Sequence, residues 1–363
     1  MRFLPDESGL LLPLPSPVGT IRSPGGQRFW LKDDGGISPV YGGNKARKLG
    51  ALFALARRRG ATRLVVHGDI ESHTVMAVGL LGRAAGFAVD AVLFAHRGQS
   101  FAVSGVERLR AAGVRLHRAG SMLAAVLRAH GMALRRDAFL VPLGGSTPES
   151  SVGYAQAVRE LLDQVNTGLL PAPDAIYMPF ATGGSVAGLL IGLAASKSPA
   201  RVVAVQAVES IIANRRRLAA LIRRTLAWLR TTQGAPRAGS GETGADNPCD
   251  NPCEACAGLD ARDCLARLRC IDARFLGRGY RDVPAPVVSA VSFARQAGLE
   301  LEPAFSGKAL ACLLADLDGP CPAGDGGGAT GCGRHLLFWN THARSPAPPT
   351  SPLPALRDTS SLP

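Results

Sequence analysis

The chain has 363 residues, 46% of them hydrophobic and 19% charged, a globular composition with room for a full core and two lobes. The net charge is +13, but the arginines are scattered and aromatic residues make up only 5%, so we expect solubility and attraction of anionic small molecules, not nucleic-acid binding. No run reaches the roughly 18 apolar residues that span a membrane, and the N-terminal stretch is a poor signal peptide, so we expect a cytoplasmic protein without membrane contact.

Strands and helices alternate along most of the chain. Strands are predicted at 28–34, 63–69, 88–96, 114–120, 138–145, 201–208 and 335–342, with helices between them, and 174–195 is predicted to be a strand, a glycine-rich turn and a helix. This order predicts an α/β protein of two lobes, each an open, mostly parallel sheet flanked by helices. Ligands bind outside the carboxyl ends of such strands.

The stretch "YGGNKARKLGALFALARRRG" (41–60) places two glycines, an asparagine and two lysines before an apolar run with helical spacing. Asn44 is suited to cap the helix. Lys45 would lie at its start and Lys48 one turn later, on a similar face. A capped helix with two solvated lysines is the alternative interpretation.

The stretch "FATGGSVAG" (180–188) joins an apolar strand to a helix of small residues. Backbone amides at the helix start, with the hydroxyls of Thr182 and Ser185, are suited to hold one phosphate monoester, although a simple tight turn is the alternative. Paired with the glycine-flanked Lys45, this pattern suggests a phosphate-bearing aldehyde that the lysine holds as an imine.

A set of ordered motifs carries a family resemblance. These motifs are "LKDD", "GGNKARKL", "GDIESHT", "VPLGGSTPESSVGY", "ATGGSVAG", "FLGRGY", "EPAFSGKA" and "LFWNTH". They resemble the pyridoxal-phosphate enzymes that include D-cysteine desulfhydrase and 1-aminocyclopropane-1-carboxylate deaminase, which have the tryptophan-synthase-β-like fold (fold type II). The resemblance implies pyridoxal 5'-phosphate as cofactor, a small amino acid as substrate and a homodimer.

The resemblance also implies the catalytic residues. Lys45 matches the Schiff-base lysine, which shuttles the proton at the substrate Cα. Ser72 matches a serine near the substrate carboxylate, although a helix cap is the other interpretation. Tyr280 matches a tyrosine that stacks or relays protons, and a half-buried loop tyrosine is its alternative.

Further residues match cofactor-binding positions of the family. Lys48 matches the lysine near the phosphate, His73 stands where the family has an asparagine beside the ring hydroxyl, and Thr341 lies near the ring. The residues that match the phosphate loop are Thr182, Gly183, Gly184, Ser185 and Val186. Ser306 occupies the place of the ring-nitrogen partner, and its hydroxyl, with Phe305 in place of a tyrosine, favours β-elimination over ring opening.

The expected reaction is therefore the β-elimination of D-cysteine-type substrates to a keto acid, ammonia and sulfide. A family member with a divergent substrate or a non-catalytic role is the alternative. The predicted domains are a large one, 1–47 plus 152–345 with a loop inserted at 233–266, and a small one, 48–151. The proline- and serine-rich tail, 346–363, is expected to be disordered.

Four cysteines cluster in the insert, at Cys249, Cys253, Cys256 and Cys264. Their spacing suits a structural zinc site. An iron–sulfur cluster and reduced thiols are the alternatives. The family resemblance implies no metal here.

Overall fold

The computed structural model describes residues 9–10, 12–231, 256, 258–319 and 334–344. The strands are β1 (Val18–Arg22), β2 (Arg28–Asp33), β3 (Arg63–Asp69), β4 (Ala88–Phe94), β5 (Arg115–Arg118), β6 (Ala138–Val141), β7 (Ala175–Phe180), β8 (Arg201–Gln206), β9 (Leu268–Asp272) and β10 (Leu336–Asn340). The helices are α1 (Gly43–Arg58), α2 (His73–Ala84), α3 (Ser104–Ala111), α4 (Met122–Met132), α5 (Pro148–Asn166), α6 (Gly184–Ala195), α7 (Arg215–Thr231), α8 (Ala261–Leu265), α9 (Ala285–Gln296) and α10 (Lys308–Asp318). A 3₁₀ turn spans Leu143–Gly145 and a π turn spans Pro303–Gly307.

The strands form two sheets. The first has the order β1-β2-β10-β7-β8-β9, in which β1 pairs antiparallel with β2 and the other neighbours pair in parallel. The second has the order β5-β4-β3-β6 and is parallel throughout. The predicted α/β class, with two mostly parallel sheets, is confirmed.

The central strands of the first sheet are buried because helices cover them. All residues of β10 are buried, and β8 is buried from Val202 to Gln206. Near-continuous apolar runs of this kind are typical of parallel strands with both faces covered. Helix α6 lies in the same core and is buried from Gly184 to Ala194, so its start is held firmly at the end of β7.

Each sheet draws on a different part of the chain. The second sheet uses β3 to β6, which lie between Arg63 and Val141. The first sheet uses β1 and β2 before that segment and β7 to β10 after it. This division supports two lobes: the first lobe contains the first sheet and the second lobe contains the second sheet. The domain bounds at 47/48 and 151/152 remain a prediction.

A buried ionic network fixes α1 to the first lobe. The guanidinium of Arg47 donates two hydrogen bonds to the Asp34 carboxylate, at 2.9 and 2.7 Å, and two to Glu160, both at 3.0 Å. The hydroxyl of Tyr154 and the indole N–H of Trp339 also donate to Asp34, at 3.0 and 2.9 Å. Because β2, α1, α5 and β10 all meet at Asp34, the network sets the position of α1.

Several elements differ from the sequence-based prediction. Strands β1 and β9 and helix α4 were not predicted, because they are short or lack a clear apolar period. The end of the predicted loop at 233–266 is helical: Asp260 caps α8 in a capping box with Asp263, and Cys264 is buried in the core. The rest of that loop up to 255, residue 257 and the predicted disordered tail lie outside the described residues. None of the described helices has the length and apolar composition needed to cross a membrane.

Candidate active site

A cavity of about 910 Å³ opens at the carboxyl ends of the parallel strands of both sheets. Residues that line it follow the ends of successive strands: Asp69 ends β3, His96 follows β4, Leu143 follows β6, Thr182 follows β7, Glu209 follows β8 and Thr341 follows β10. This is the position that parallel α/β sheets favour for a ligand. The start of α1 lies in the same cavity, with Asn44, Lys45 and Lys48 in its wall.

The predicted cap of α1 is wrong. Gly42 is the N-cap and Asn44 lies within the first turn. The chain enters the helix through Gly43, whose φ of +72° suits glycine and where a Cβ would lie 2.5 Å from the Thr341 carbonyl oxygen. Because Asn44 does not cap the helix, its side-chain amide is available to donate to the Ser185 hydroxyl at 3.2 Å.

Lys45 presents its amine to the cavity. The Nζ atom donates to the Asn44 side-chain oxygen at 3.2 Å. Burial lowers the pKa of Lys45 to about 8, although the Glu302 carboxylate acts in the opposite direction. A lysine with this pKa has a substantial neutral fraction near pH 8, which is the form that attacks a carbonyl.

Lys48 is fully buried beside the loop at 182–186. Its Nζ donates to the Gly144 carbonyl at 2.7 Å and to the Ser146 hydroxyl at 2.8 Å, and neither acceptor carries a charge. Burial, together with the nearby Lys45, lowers the pKa of Lys48 well below its usual value. An anion that enters the cavity beside Lys48 would favour the charged form of this lysine and raise its pKa again.

The start of α6 forms an open cradle next to Lys48. Gly183 is the N-cap with a φ of +90°, a conformation that favours glycine. A Cβ at Gly184 would lie 2.7 Å from the Ser146 hydroxyl and 2.8 Å from Lys48 Nζ, so only a hydrogen there leaves the space open. The Ser146 hydroxyl also bonds to Thr182 Oγ1 at 2.7 Å and accepts from the Gly184 amide at 3.2 Å. Amides, hydroxyls and one ammonium suit a phosphate monoester.

His73 lines the cavity and bonds through Nδ1 to the Tyr41 hydroxyl at 2.8 Å. Burial, with His342 and Lys45 nearby, lowers the pKa of His73 to about 3. The imidazole is therefore neutral over the ordinary pH range. It packs edge-on against His342, whose own pKa burial lowers to about 4.

Ser72 and Tyr280 both line this cavity, as predicted. Ser72 also caps α2, since its hydroxyl accepts from the Val75 amide at 3.4 Å, so a cap and a position in the cavity occur together. Tyr280 packs against Phe305 with ring centroids 5.2 Å apart. The roles of Ser72 and Tyr280 toward a substrate remain predictions.

Ser306 is the predicted site residue that does not line the cavity. It is fully buried in the π turn, and its hydroxyl donates to the Glu302 carboxylate at 2.9 Å. Glu302 itself lines the cavity, and its carboxylate also accepts from the amides of Phe305 and Ser306. The sequence-based argument for β-elimination assumed a hydroxyl at the ring nitrogen, and this geometry does not support that assumption. The other predicted lysine, loop and ring residues lie together in the wall, including Val186 and Thr341.

Some cavity residues were not predicted from the sequence. They include Tyr41, Glu302 and His342, and Ser146, which bonds to Lys48 and to the Gly184 amide, was not predicted either. Ser146 lies in the quoted motif "VPLGGSTPESSVGY", but its link to Lys48 joins positions 98 residues apart. His342 has a buried Nδ1 without a hydrogen-bond partner in the described part of the chain. The signal for these residues in the sequence was their place in or beside the quoted motifs. The distances between motifs depend on the tertiary structure and cannot be read from the local sequence.

The predicted zinc site has no support. Within the described ranges no group of three or more His, Cys, Asp or Glu side chains could hold a metal ion. Cys256 and Cys264 are both buried, and burial raises the pKa of Cys264 to about 12, so this side chain is a thiol and not a thiolate. Cys249 and Cys253 lie outside the described residues.

A lysine with a lowered pKa, beside amides and hydroxyls suited to a phosphate at the carboxyl ends of two mostly parallel sheets, is the arrangement expected of an enzyme with a phosphorylated aldehyde cofactor. The chain belongs to the family of pyridoxal-phosphate dependent enzymes, whose family model matches residues 14–326. The family inferred from the sequence motifs, of fold type II, is thereby confirmed.

The two individual relatives described next share 25–32% sequence identity with this chain. The chain is 32% identical to nocardicin C-9' epimerase of Nocardia uniformis subsp. tsuyamanensis over 199 residues, which are 51% of this chain and 58% of the epimerase. It is 25% identical to D-cysteine desulfhydrase of Yersinia pestis (strain Pestoides F) over 80% of this chain and 81% of that protein. The chain spans a little over half the length of several curated relatives that it matches. The solved structure of a homologue of ACC deaminase has a TM-score of 0.68 at 21% identity, covering 92% of this chain and 90% of that one, which shows a shared fold.

Proposed function

We propose that the protein is a pyridoxal-phosphate-dependent lyase that acts on a small amino acid, by β-elimination of D-cysteine-type substrates to a keto acid, ammonia and sulfide. The observation that carries this proposal is that Lys45 and the loop at Thr182 line one cavity, with the Lys45 pKa lowered to about 8. The similarity to D-cysteine desulfhydrase over 80% of the chain supports the choice of reaction.

The chain's own residues would act as follows. The Lys48 ammonium, the Gly184 amide and the Thr182 hydroxyl would hold the phosphate, and Lys45 would bind the aldehyde. When bound, pyridoxal phosphate withdraws electrons from the substrate Cα, which makes the Cα proton acidic. Once the substrate amine has taken the place of Lys45 on the aldehyde, the freed Lys45 amine would accept that proton, and the Ser72 hydroxyl would contact the substrate carboxylate. Tyr280 would cover the opening beside Phe305.

The experiment uses recombinant protein loaded with the cofactor. Release of pyruvate, ammonia and sulfide from D-cysteine, with loss of activity and of the yellow absorbance in Lys45→Ala, is the expected result. L-Cysteine, D-serine and β-chloroalanine complete the panel. Absence of pyruvate from all four substrates, with the cofactor bound, would instead support a divergent substrate or a non-catalytic role. The predicted homodimer and cytoplasmic location belong to the same proposal, and light scattering tests the former.

A second candidate is epimerisation at Cα. The similarity to nocardicin C-9' epimerase favours it, as does the presence of the Ser72 hydroxyl and the Lys45 amine in one cavity, since two groups could exchange a proton with Cα. Elimination and epimerisation share the removal of that proton and differ in the fate of the β substituent. Incorporation of deuterium at Cα from heavy water, with inversion and without keto acid, would identify the epimerase.

A further inference from the structure

The cavity is larger than the cofactor and a three-carbon amino acid require. Its volume is about 910 Å³. At about 30 Å³ for each non-hydrogen atom, the share of a water molecule in its liquid, the roughly twenty atoms of pyridoxal phosphate joined to cysteine need about 600 Å³. Bonded atoms occupy less space than free water molecules, so about 600 Å³ is an upper value for the volume that they need. Space for a further group of several atoms therefore remains.

Part of the cavity wall around the remaining space is apolar. Five aliphatic or thioether side chains in the cavity wall form what we term the apolar wall: Met122, Val126, Leu143, Val208 and Ile212. The first three come from the second lobe, on α4 and after β6, and the last two follow β8 in the first lobe. A group entering between the lobes would thus meet apolar surface on both sides.

The apolar wall reaches the solvent, which places it at the mouth of the cavity. Met122 is 63% exposed and Leu143 is 50% exposed, so both present apolar surface to water in the absence of a ligand. Lys48, by contrast, is buried in the wall of the same cavity. Covering exposed apolar side chains with an apolar ligand group is favourable in proportion to the area removed from water.

We infer, building on the proposed function, that the substrate is an amino acid with a bulky apolar or aromatic group attached beyond Cβ, and that the apolar wall binds this group. Cysteine would then be a minimal substrate that fills only the inner part of the cavity. An S-substituted cysteine fits the same reaction. With water, S-benzylcysteine gives phenylmethanethiol, pyruvate and ammonium: the Cβ–S bond breaks, its electron pair leaves with sulfur, and the Cα proton passes to Lys45.

The test compares S-benzylcysteine with cysteine, both as D and L forms, on the cofactor-loaded protein. The two compounds react by one route and release the same keto acid, so the ratio of their kcat/KM values measures how much the bulky group contributes to recognition. We expect S-benzylcysteine to be preferred about tenfold or more, as burial of an aromatic group would provide. A ratio at or below one would overturn the inference.

Two adjacent residues of α4 supply a matched pair of variants. Met122 lines the cavity, whereas Leu123, 66% exposed, is not part of its wall. Met122→Glu should lower kcat/KM for S-benzylcysteine about fivefold or more relative to kcat/KM for cysteine, because a carboxylate disfavours an apolar neighbour. Leu123→Glu should change neither value. Equal effects of the two variants on S-benzylcysteine would contradict the proposed position of the bulky group.

Calorimetric binding constants separate this inference from the lyase proposal. If neither compound reacts, but S-benzylcysteine binds about tenfold more tightly than cysteine and Met122→Glu removes that difference, the apolar wall is supported while the lyase activity is not. If cysteine is turned over and S-benzylcysteine neither binds nor reacts, the lyase proposal stands and the inference is overturned.

Discussion

The side-chain amide of Asn44 donates to the hydroxyl of Ser185 at 3.2 Å, across 141 positions of the chain. Asn44 immediately precedes Lys45, and Ser185 lies in the first turn of α6, so this bond joins the segment that carries Lys45 to the loop at 182–186. A helix from the start of the chain and a helix from its middle thus present their first turns to one cavity.

The lowered pKa of Lys45 predicts how covalent cofactor capture depends on pH. Burial brings this pKa to about 8. Since only the neutral amine attacks an aldehyde, the rate of capture by cofactor-free protein should rise about tenfold for each pH unit below 8 and level off above it. Stopped-flow absorbance from pH 6 to 9.5 measures this. A rate that still rises about tenfold per pH unit up to pH 9.5 would show an ordinary lysine, and Lys45→Ala should show no capture.

Binding of pyridoxal phosphate at the start of α6 should require that residue 184 has no side chain, as in Gly184. Gly184→Ala would place a methyl group 2.7 Å from Ser146 Oγ and 2.8 Å from Lys48 Nζ. We expect the Kd for pyridoxal phosphate to rise about 10- to 100-fold, the equivalent of an overpacking cost of about 1–3 kcal/mol. Equilibrium dialysis measures the Kd. Gly131→Ala in α4, with open space around the glycine, is the matched control and should leave it unchanged.

The Arg47–Asp34 ion pair should be essential for stability. Both side chains are nearly or fully buried, and Asp34 also accepts from Tyr154 and Trp339. Asp34→Ala leaves these donors unsatisfied and should reduce the free energy of unfolding by about 3–5 kcal/mol. Urea denaturation measures the loss. Glu107→Ala, which removes an exposed ion pair on α3, should cost no more than about 1 kcal/mol; similar losses in the two variants would contradict the role of the buried pair.

The lowered pKa of Glu160 predicts that the protein loses stability in acid. Burial alone would raise its pKa, but hydrogen bonds and charge from Arg47, with Lys32, outweigh burial and lower the pKa to about 2 from its ordinary 4.5. A carboxyl with a lowered folded-state pKa stabilises fully above pH 4.5 and loses this contribution as the pH falls toward 2, here about 3 kcal/mol. The difference in unfolding free energy between the wild type and Glu160→Gln, measured at pH 6 and pH 3, should shrink at the lower pH. A constant difference would show that the pKa is not lowered.

His73 should remain neutral in the working pH range. Its pKa is lowered to about 3, chiefly by burial, so its charge does not change between pH 5 and 9. The NMR signal of its ring C–H should not shift over this range, and His73→Asn assigns that signal by its loss. The same variant should leave the shape of the pH–activity profile unchanged. A shift of the signal centred near pH 6.5 would contradict this prediction.

The sequence by itself determined the class of the fold and indicated some of the polar groups that line the cavity. The alternation of apolar strands with helices requires covered parallel sheets, and glycine beside lysine or hydroxyl residues at strand ends identifies Lys45, Lys48 and the loop from Thr182. These signals are local, because backbone geometry and periodicity act over a few residues. The assignment of Asn44 as a cap failed because the helix begins earlier, at Gly43, whose backbone lies against Thr341, a residue remote in sequence.

The tertiary structure alone decided which groups face one another and how deeply they are buried. It placed Glu302, and not Ser306, in the cavity wall, and it paired His73 with Tyr41. The pKa values follow from burial and from charges that approach only after folding, so no motif encodes them. The size of the cavity, from which the substrate class is inferred, depends on how two lobes built from separate parts of the chain come together.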